Sequence, residues 1–487
     1  MSLSSAFRVA QGALLNTARQ TGVAARNVSD AANPGYHRRE ALLTTSQGGA
    51  TILSIRRSAD GELLRHSLAA TASASGQSYL ASAATRLQQL INGDDNATAP
   101  ATLLARFEDS LQQMAAEPDN ALIGEVAVNA AQELASGVAT AADAVQRQRG
   151  SIDADIAGAV ADINGLLARF EAANNEIIKG TLSNRDVSDA ADTRDAILKD
   201  LSNYLGISTV TRPDNGMMIF SSQGATLFET VPRHVTFEPT DLHQPGIAGN
   251  PVRIDGVPLR PGTGSNTDAD GSLAAMLQVR DGIAMRATDQ LDEMARGLIL
   301  AFAELDQSGT GAPALSGLFT GDGSPALPSA SVRVPGLAQS LGVHAAYNST
   351  LGGSPALLRD GGANGAGYIV TDGAGPGNPA RLNHYLDAIN QPFAADPLAG
   401  LSAGQSLSDY AQSSIGWIEG VRSTAIRTAD TKTALGQRLE TALSNAVGVN
   451  LDEELSALVE FEQSYQASSR ILNAVDTMMD ALFAVAR

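Results

Sequence analysis

The segment NLDEELSALVEFEQSYQASSRILNAVDTMMDAL, residues 450–482, decides how the chain is read. A strict sevenfold series runs Leu451, Leu458, Tyr465, Leu472 and Met479, and continues to Ala486. A companion series three residues on holds Phe461, Val475 and Leu482, interrupted by Glu454 and Ser468. Alternating spacings of three and four place such residues on one stripe of a helix, the seam of a coiled coil. Asn450 stands at a helix cap, with Glu453 at the reciprocal position of a capping box. Asp452, Glu453 and Glu454 complement the positive end of the helix dipole. No Pro or Gly occurs from Leu451 to Arg487. A lone helix of this length buries too little apolar surface to offset the ordering of its residues. It needs neighbours, and other copies of the chain could supply them.

The opposite end carries a weaker version of the same pattern. Leu3, Phe7, Ala10, Leu14, Thr17, Thr21, Ala24, Val28 and Ala31 alternate by four and three. Alone, this reads as an amphipathic surface helix. With a seam at the other terminus, the two ends become partners, mobile in a monomer and ordered on assembly. The helix is stopped by Asn33-Pro34-Gly35-Tyr36. Pro34 lacks a backbone N–H and turns Asn33 away from the helical region. Gly35 is expected to supply a positive φ, so that the run forms a tight turn.

The interior falls into blocks. Helical runs are expected at Leu63–Leu90, Leu103–Ala115, Leu122 to Lys179, and from Asp192 to Leu205, where Gly206 ends the last. The period then shortens. ISTVT, GMMIFS, ATLFETV, HVTFEP and PVRIDGVPL, separated by Asp214-Asn215-Gly216 and several Pro, predict a compact β unit over about 207–260. Helix resumes at Gly271-Ser272 and runs to about Leu305, and again from about Arg381. Residues 308–378 are rich in Gly, Pro, Ser and Ala and predict a loop-rich insert. The expected fold class is α+β multidomain. Residues 1–40 with 440–487 form a terminal coiled-coil domain. Residues 41–206, 271–307 and 379–439 form a helical-bundle rod domain. A small β domain spans 207–270, and 308–378 is an irregular inserted unit. The nested order suggests a rod with protruding lobes and adjacent termini.

Composition and motifs argue against most chemistries. The 487 residues carry a net charge of −19, and only 4% are aromatic. A nucleic-acid partner requires a basic face, and an anionic lipid surface is disfavoured for the same reason. The absence of Cys excludes disulfides, thiolate catalysis and Cys-ligated zinc. No membrane span is expected, because no window approaches eighteen apolar residues. No secretory leader is visible in MSLSSAFRVAQGALL, which by itself suggests a cytoplasmic protein. Asn266, Asp268, Asp270 and Gly271 fit the opening of an EF-hand, but Leu277 stands where its bidentate Glu is needed. They read as a turn before a helix. The six His are scattered, and no GxSxG, GxGxxG or Walker A motif occurs. No catalytic residue, cofactor or metal is expected.

The termini resemble those of bacterial flagellar axial proteins. Asn27-Val28-Ser29 and Ala31 to Tyr36 are similar to the N-terminal signature of that group, with Pro34-Gly35-Tyr36 intact and Asp30, Ala32 and Asn33 departing from it. The strings Asn450 to Glu454 and Tyr465 to Ser468 look like its matching C-terminal end. The blocks DTRDAILKDLSNYLGISTV (192–210) and GSLAAMLQVRD (271–281) resemble the flagellar hook-associated protein 1 family. The resemblance implies a non-enzymatic subunit at the hook–filament junction, with terminal helices in an inner tube and middle domains facing outward. It implies self-association in a ring or helix, hook protein on one side, and the next junction protein or the filament on the other. It also implies type III export with a chaperone on the C-terminal helix, which replaces the cytoplasmic reading by an extracellular one. A rod or hook subunit, or a secreted enzyme on a flagellar scaffold, are the competing readings. The helical block at 60–204 argues against the former. The assembly seam would comprise Leu3, Phe7, Leu14, Val28, Leu451, Leu458, Phe461, Tyr465, Leu472, Val475, Met479 and Leu482. The turn would be Asn33, Pro34, Gly35 and Tyr36.

Overall fold

The computed structural model describes residues 3–46, 49–261, 269–370 and 375–485. The chain is an α+β multidomain protein in which helices dominate. In order, the helices are α1 (Leu3–Asp30), α2 (Gly61–Asn92), α3 (Pro100–Ala116), α4 (Ala121–Leu182), α5 (Ser188–Tyr204), α6 (Ser272–Gln278), α7 (Ala284–Ala301), α8 (Leu357–Asp360), α9 (Ala380–Asn390), α10 (Leu407–Val447) and α11 (Leu451–Val485). The strands are β1 (Arg39–Ser46), β2 (Gly49–Arg57), β3 (Ile207–Thr211), β4 (Met217–Ser221), β5 (Thr226–Phe228), β6 (Val235–Thr236), β7 (Arg253–Ile254), β8 (Val257–Pro258), β9 (Phe319–Gly321) and β10 (Leu341–Val343). Every sheet is antiparallel: β1-β2, β3-β4-β5, β6-β7-β8 and β9-β10.

The 62-residue α4 is the spine. At 1.5 Å per residue it is about 93 Å long. Its Ala-rich sequence has high helix propensity, and its first turn is capped by Asn120, whose Oδ1 accepts from the Leu122 N–H at 3.1 Å. Two cores share this spine. One joins its C-terminal half to α2, α5, α6, α10 and the small sheets, through side chains such as Ile156, Ile163, Phe170, Leu198, Ile219 and Phe228. The other joins its N-terminal half to α3, α7 and α9. Phe319 and Leu337 from the Gly/Pro/Ser-rich insert enter that second core. Phe319 packs edge-on against Phe107 and Phe302, with centroids 5.6 and 5.2 Å away. The insert therefore shares the core of the helical rod rather than standing apart as a lobe.

Several local expectations are corrected. α1 ends at Asp30, ahead of Pro34, and α5 begins at Ser188, a turn before Asp192. A hairpin, β1-β2, occupies the first residues of the stretch from 41 expected to be helical rod. α10 runs unbroken past residue 440 and ends at Val447, with Gly448 at its C-cap. Between α6 and α7, Val279–Ile283 forms a π-helical turn. That turn presents the fully buried Arg280, whose Nη1 donates to Asp153 of α4 at 2.5 Å and whose Nη2 donates to the Asn250 carbonyl at 2.9 Å. It thereby ties the small β region to the spine. Gly271, before α6, has φ of +95°, and a Cβ there would meet the Tyr204 carbonyl at 2.3 Å. Among the EF-hand-like residues, Asn266 and Asp268 lie outside the described residues. No group of three His, Asp or Glu able to hold a metal occurs among the described residues. None of the described helices is long and apolar enough to cross a membrane.

Candidate assembly face

The α1–α11 pair is built from its two ends. α11 starts where Asn450 Oδ1 accepts from the Asp452 N–H at 3.1 Å, while the Asn450 amide donates to Glu453 at 3.3 Å. The cap residue and the Glu of the capping-box pattern thus meet side chain to side chain. Just beyond α1, the Arg38 N–H donates to the Val447 carbonyl at 2.8 Å, and Arg38 Nε donates to Glu454 at 2.6 Å. The C-terminal end of α1 therefore meets the start of α11, and the two helices pack along each other antiparallel.

The most buried positions on α1 are Ala10, Thr17, Ala24, Asn16 and Asn27. Three of them repeat by seven and have small side chains, which lets the backbones approach closely. The Thr positions that weaken the pattern are satisfied within the helix. Thr17 Oγ1 donates to the Ala13 carbonyl and Thr21 Oγ1 to the Thr17 carbonyl, both at 2.9 Å. On α11 the buried residues are Glu454, Ser468 and Val475. Glu454 and Ser468, read from sequence as interruptions, are therefore buried within the contact. Glu454 is 3% exposed and holds Arg38, and Ser468 leaves room for α1.

Of the expected seam residues, Val475 is buried. Leu3, Phe7, Leu14, Val28, Leu458, Phe461, Leu472 and Met479 are half-buried. Leu451, Tyr465 and Leu482 are exposed. The structure adds exposed apolar residues that the seam did not contain: Val9 and Leu15 on α1, and Leu455, Val459, Ile471 and Met478 on α11. They flank the sevenfold series. Ile471 and Met478 are themselves seven apart, a second register that was present in the sequence.

The turn after α1 is organised by Asn27, which is 1% exposed. Its Nδ2 donates to the Arg39 carbonyl at 2.9 Å, and its Oδ1 accepts from the Arg39 N–H at 3.1 Å and from the Tyr36 hydroxyl at 2.8 Å. Tyr36 also lies under the Arg39 guanidinium, 4.7 Å from the ring centroid. Asn33 shapes the turn through its Oδ1, which accepts from the Gly35 N–H at 3.1 Å, while the Tyr36 N–H donates to the Asn33 carbonyl at 3.0 Å. Gly35 is absent from the residues with positive φ. The expectation of a left-handed Gly35 is thus corrected, because the Asn33 side chain closes the turn with ordinary backbone angles. Pro34 is exposed.

An ion-pair network then fastens the hairpin to α5. Arg39 Nη2 reaches Asp189 at 2.5 Å and Asp192 at 3.2 Å. Arg57 reaches Asp192 at 2.6 Å and Asp195 at 2.5 Å. Arg57 Nη2 also donates to His37 Nε2 at 3.3 Å. That leaves the His37 proton on Nδ1, which donates to the Ser58 carbonyl at 3.2 Å. Burial, and then the adjacent Arg57 cation, hold the imidazole below its ordinary value of 6.5. The terminal helix pair is thereby joined to the rod by a polar junction whose members are mostly buried.

Residues 84–318 match the model of the flagellar hook-associated protein FlgK helical domain. Residues 442–484 match that of the flagellar basal body rod FlgEFG protein C-terminal region. Among solved structures, the chain is similar to the flagellar hook junction protein FlgK from Burkholderia pseudomallei, with 19% identity and a TM-score of 0.44. That likeness covers 53% of this chain and 46% of the other, so it spans about half of each. No curated protein matches the chain.

Proposed function

Taking the chain as a FlgK-like member of the flagellar hook-associated proteins, a structural and non-enzymatic family, we propose that it joins the flagellar hook to the filament. The observation that carries this reading is the unburied apolar surface of the α1–α11 pair. Leu455, Val459, Ile471, Met478 and Leu482 lie exposed around more than one side of α11. A helix that is apolar beyond one stripe is a helix meant to be surrounded. Neighbouring copies, placed side by side in an inner tube, would cover these residues together with Leu451 and Tyr465.

On this reading the seam residues serve assembly and the rod and small β region face outward. The Asn27-centred turn carries the chain from the tube to the rod. Hook protein contacts one side of the assembly, and the next junction protein or the filament the other. The chain leaves the cell through the flagellar type III channel, with a chaperone covering the apolar faces of α11 until assembly. It is then extracellular. The test is deletion of the gene followed by electron microscopy. Hooks that lack filaments, with epitope-tagged chain restoring filaments and labelling the distal end of the hook, are the expected result. Normal filaments in the deletion strain would refute it.

A further inference from the structure

An arginine-lined cleft of about 560 Å³ opens beside the terminal helix pair, between α1, the β2 strand and the α4–α5 turn. Arg19, Gly22 and Arg26 form its α1 wall, Arg39 lies within it, and Arg185 stands at the opposite side. In a chain with net charge −19, this gathering of cations is unusual. Arg39 is consumed by Asp189 and Asp192, and Arg26 shares Asp189 at 2.8 Å. Arg19, exposed on α1, has no hydrogen-bond or ion-pair partner among the described residues. Among the described residues the Arg185 guanidinium bonds only the Ser183 hydroxyl, at 3.0 Å. A Cβ added at Gly22 would meet nothing within 4 Å, so the wall between Arg19 and Arg26 is open.

Arg19 and Arg26 are seven residues apart on one helix face, a spacing of about 10 Å. α11 carries a matching ladder. Glu453 and Glu460 are also seven apart, and both are exposed. Within one chain these two ladders do not meet, because α11 turns Glu454 toward Arg38 and leaves Glu453 and Glu460 outward. We propose that the cleft receives Glu453 and Glu460 of a second copy, whose α11 lies across its mouth. Two carboxylates at the pitch of two guanidinium groups fix axial register between copies. The exposed apolar flank of α11 supplies attraction without register. Charge complementarity of this kind sets specificity and orientation more than raw affinity.

This pairing rests on the assembly reading above, and the experiment separates the two. Cells make one version of the chain, hooks are isolated, and chain per hook is quantified by immunoblot. Chain in the culture medium distinguishes lost docking from lost export. Arg19→Glu and Glu460→Arg each should lower chain per hook by about tenfold and raise chain in the medium. The double swap Arg19→Glu/Glu460→Arg should restore chain per hook to within about twofold of the original. Circular dichroism melting of purified Arg19→Glu, a change at an exposed site, should be unaltered. Hooks carrying Arg19→Glu at the original level would overturn the proposal, as would a double swap that fails to restore docking. Absence of the unsubstituted chain from hooks would instead refute the hook-junction reading itself.

Discussion

Asn27→Ala should detach the turn from α1 without unfolding the rod. The side chain makes three hydrogen bonds, to the Arg39 N–H, the Arg39 carbonyl and the Tyr36 hydroxyl. All three partners belong to residues that are buried in the folded chain. Each buried polar group left without a partner costs about 1–3 kcal/mol. The turn beside them, Asn33 to Gly35, is exposed, so water can reach part of the site. The loss is then about 3–6 kcal/mol, in the lower part of the simple sum of about 3–9. The Arg39 amide reports it directly, because that hydrogen is donated to Asn27. Its exchange with solvent should accelerate by at least about a hundredfold. Tyr36→Phe removes one of the three bonds and leaves Arg39 paired, so it should cost about 1 kcal/mol and accelerate the same amide about fivefold. Thermal melting of the rod should be unchanged in both variants, since Asn27 touches neither rod core. If Asn27→Ala accelerates the Arg39 amide no more than Tyr36→Phe does, the hub assignment is wrong.

Leu472→Asp places a charge at a half-buried seam position and removes about 2 kcal/mol of apolar burial; filaments should fail to assemble while the purified rod melts normally, and full-length filaments would count against the seam. Gly35→Ala should be tolerated, because the residue has no positive φ and a new Cβ would meet only Asn33 Oδ1 at 3.6 Å; a melting point or motility clearly below the parent would contradict the turn geometry. His37 is held below 6.5 by burial and by Arg57, so the unfolded state binds its proton more readily than the folded one. Its contribution is whole above 6.5 and is lost as pH falls through the lower folded value. Protection of the Ser58 amide, which bonds the Arg38 carbonyl at 2.7 Å, should fade over that window once intrinsic exchange is corrected, and should be pH-independent there in His37→Gln.

The helices were legible because their causes are local. The sevenfold series of α11, its Asn450 cap and its freedom from Gly and Pro are all properties of neighbours in sequence. The same holds for the change to short strands after Gly206 and the resumption of helix at Ser272. The β1-β2 hairpin carries a weaker local signal, because Gly48-Gly49 divides two short apolar runs, Ala41-Leu42-Leu43 and Ile52-Leu53-Ser54-Ile55, neither of which alternates strictly.

What the tertiary structure alone decided is which positions of a regular pattern carry the contact. Glu454 and Ser468 break the hydrophobic repeat, and periodicity ranks them as defects. In the folded chain they are among the most buried residues of α11, because Arg38, more than four hundred residues away in sequence, comes to lie against one and α1 against the other. Asn27 is likewise an ordinary polar residue until Tyr36 and Arg39 fold back upon it. The Arg39 and Arg57 network with α5 depends on the hairpin meeting a helix some 130 to 150 residues distant. Local sequence sets dihedral preference and period, and these determined the elements. The pairing of buried polar groups depends on where distant segments meet in space, and only the assembled fold supplies that distance.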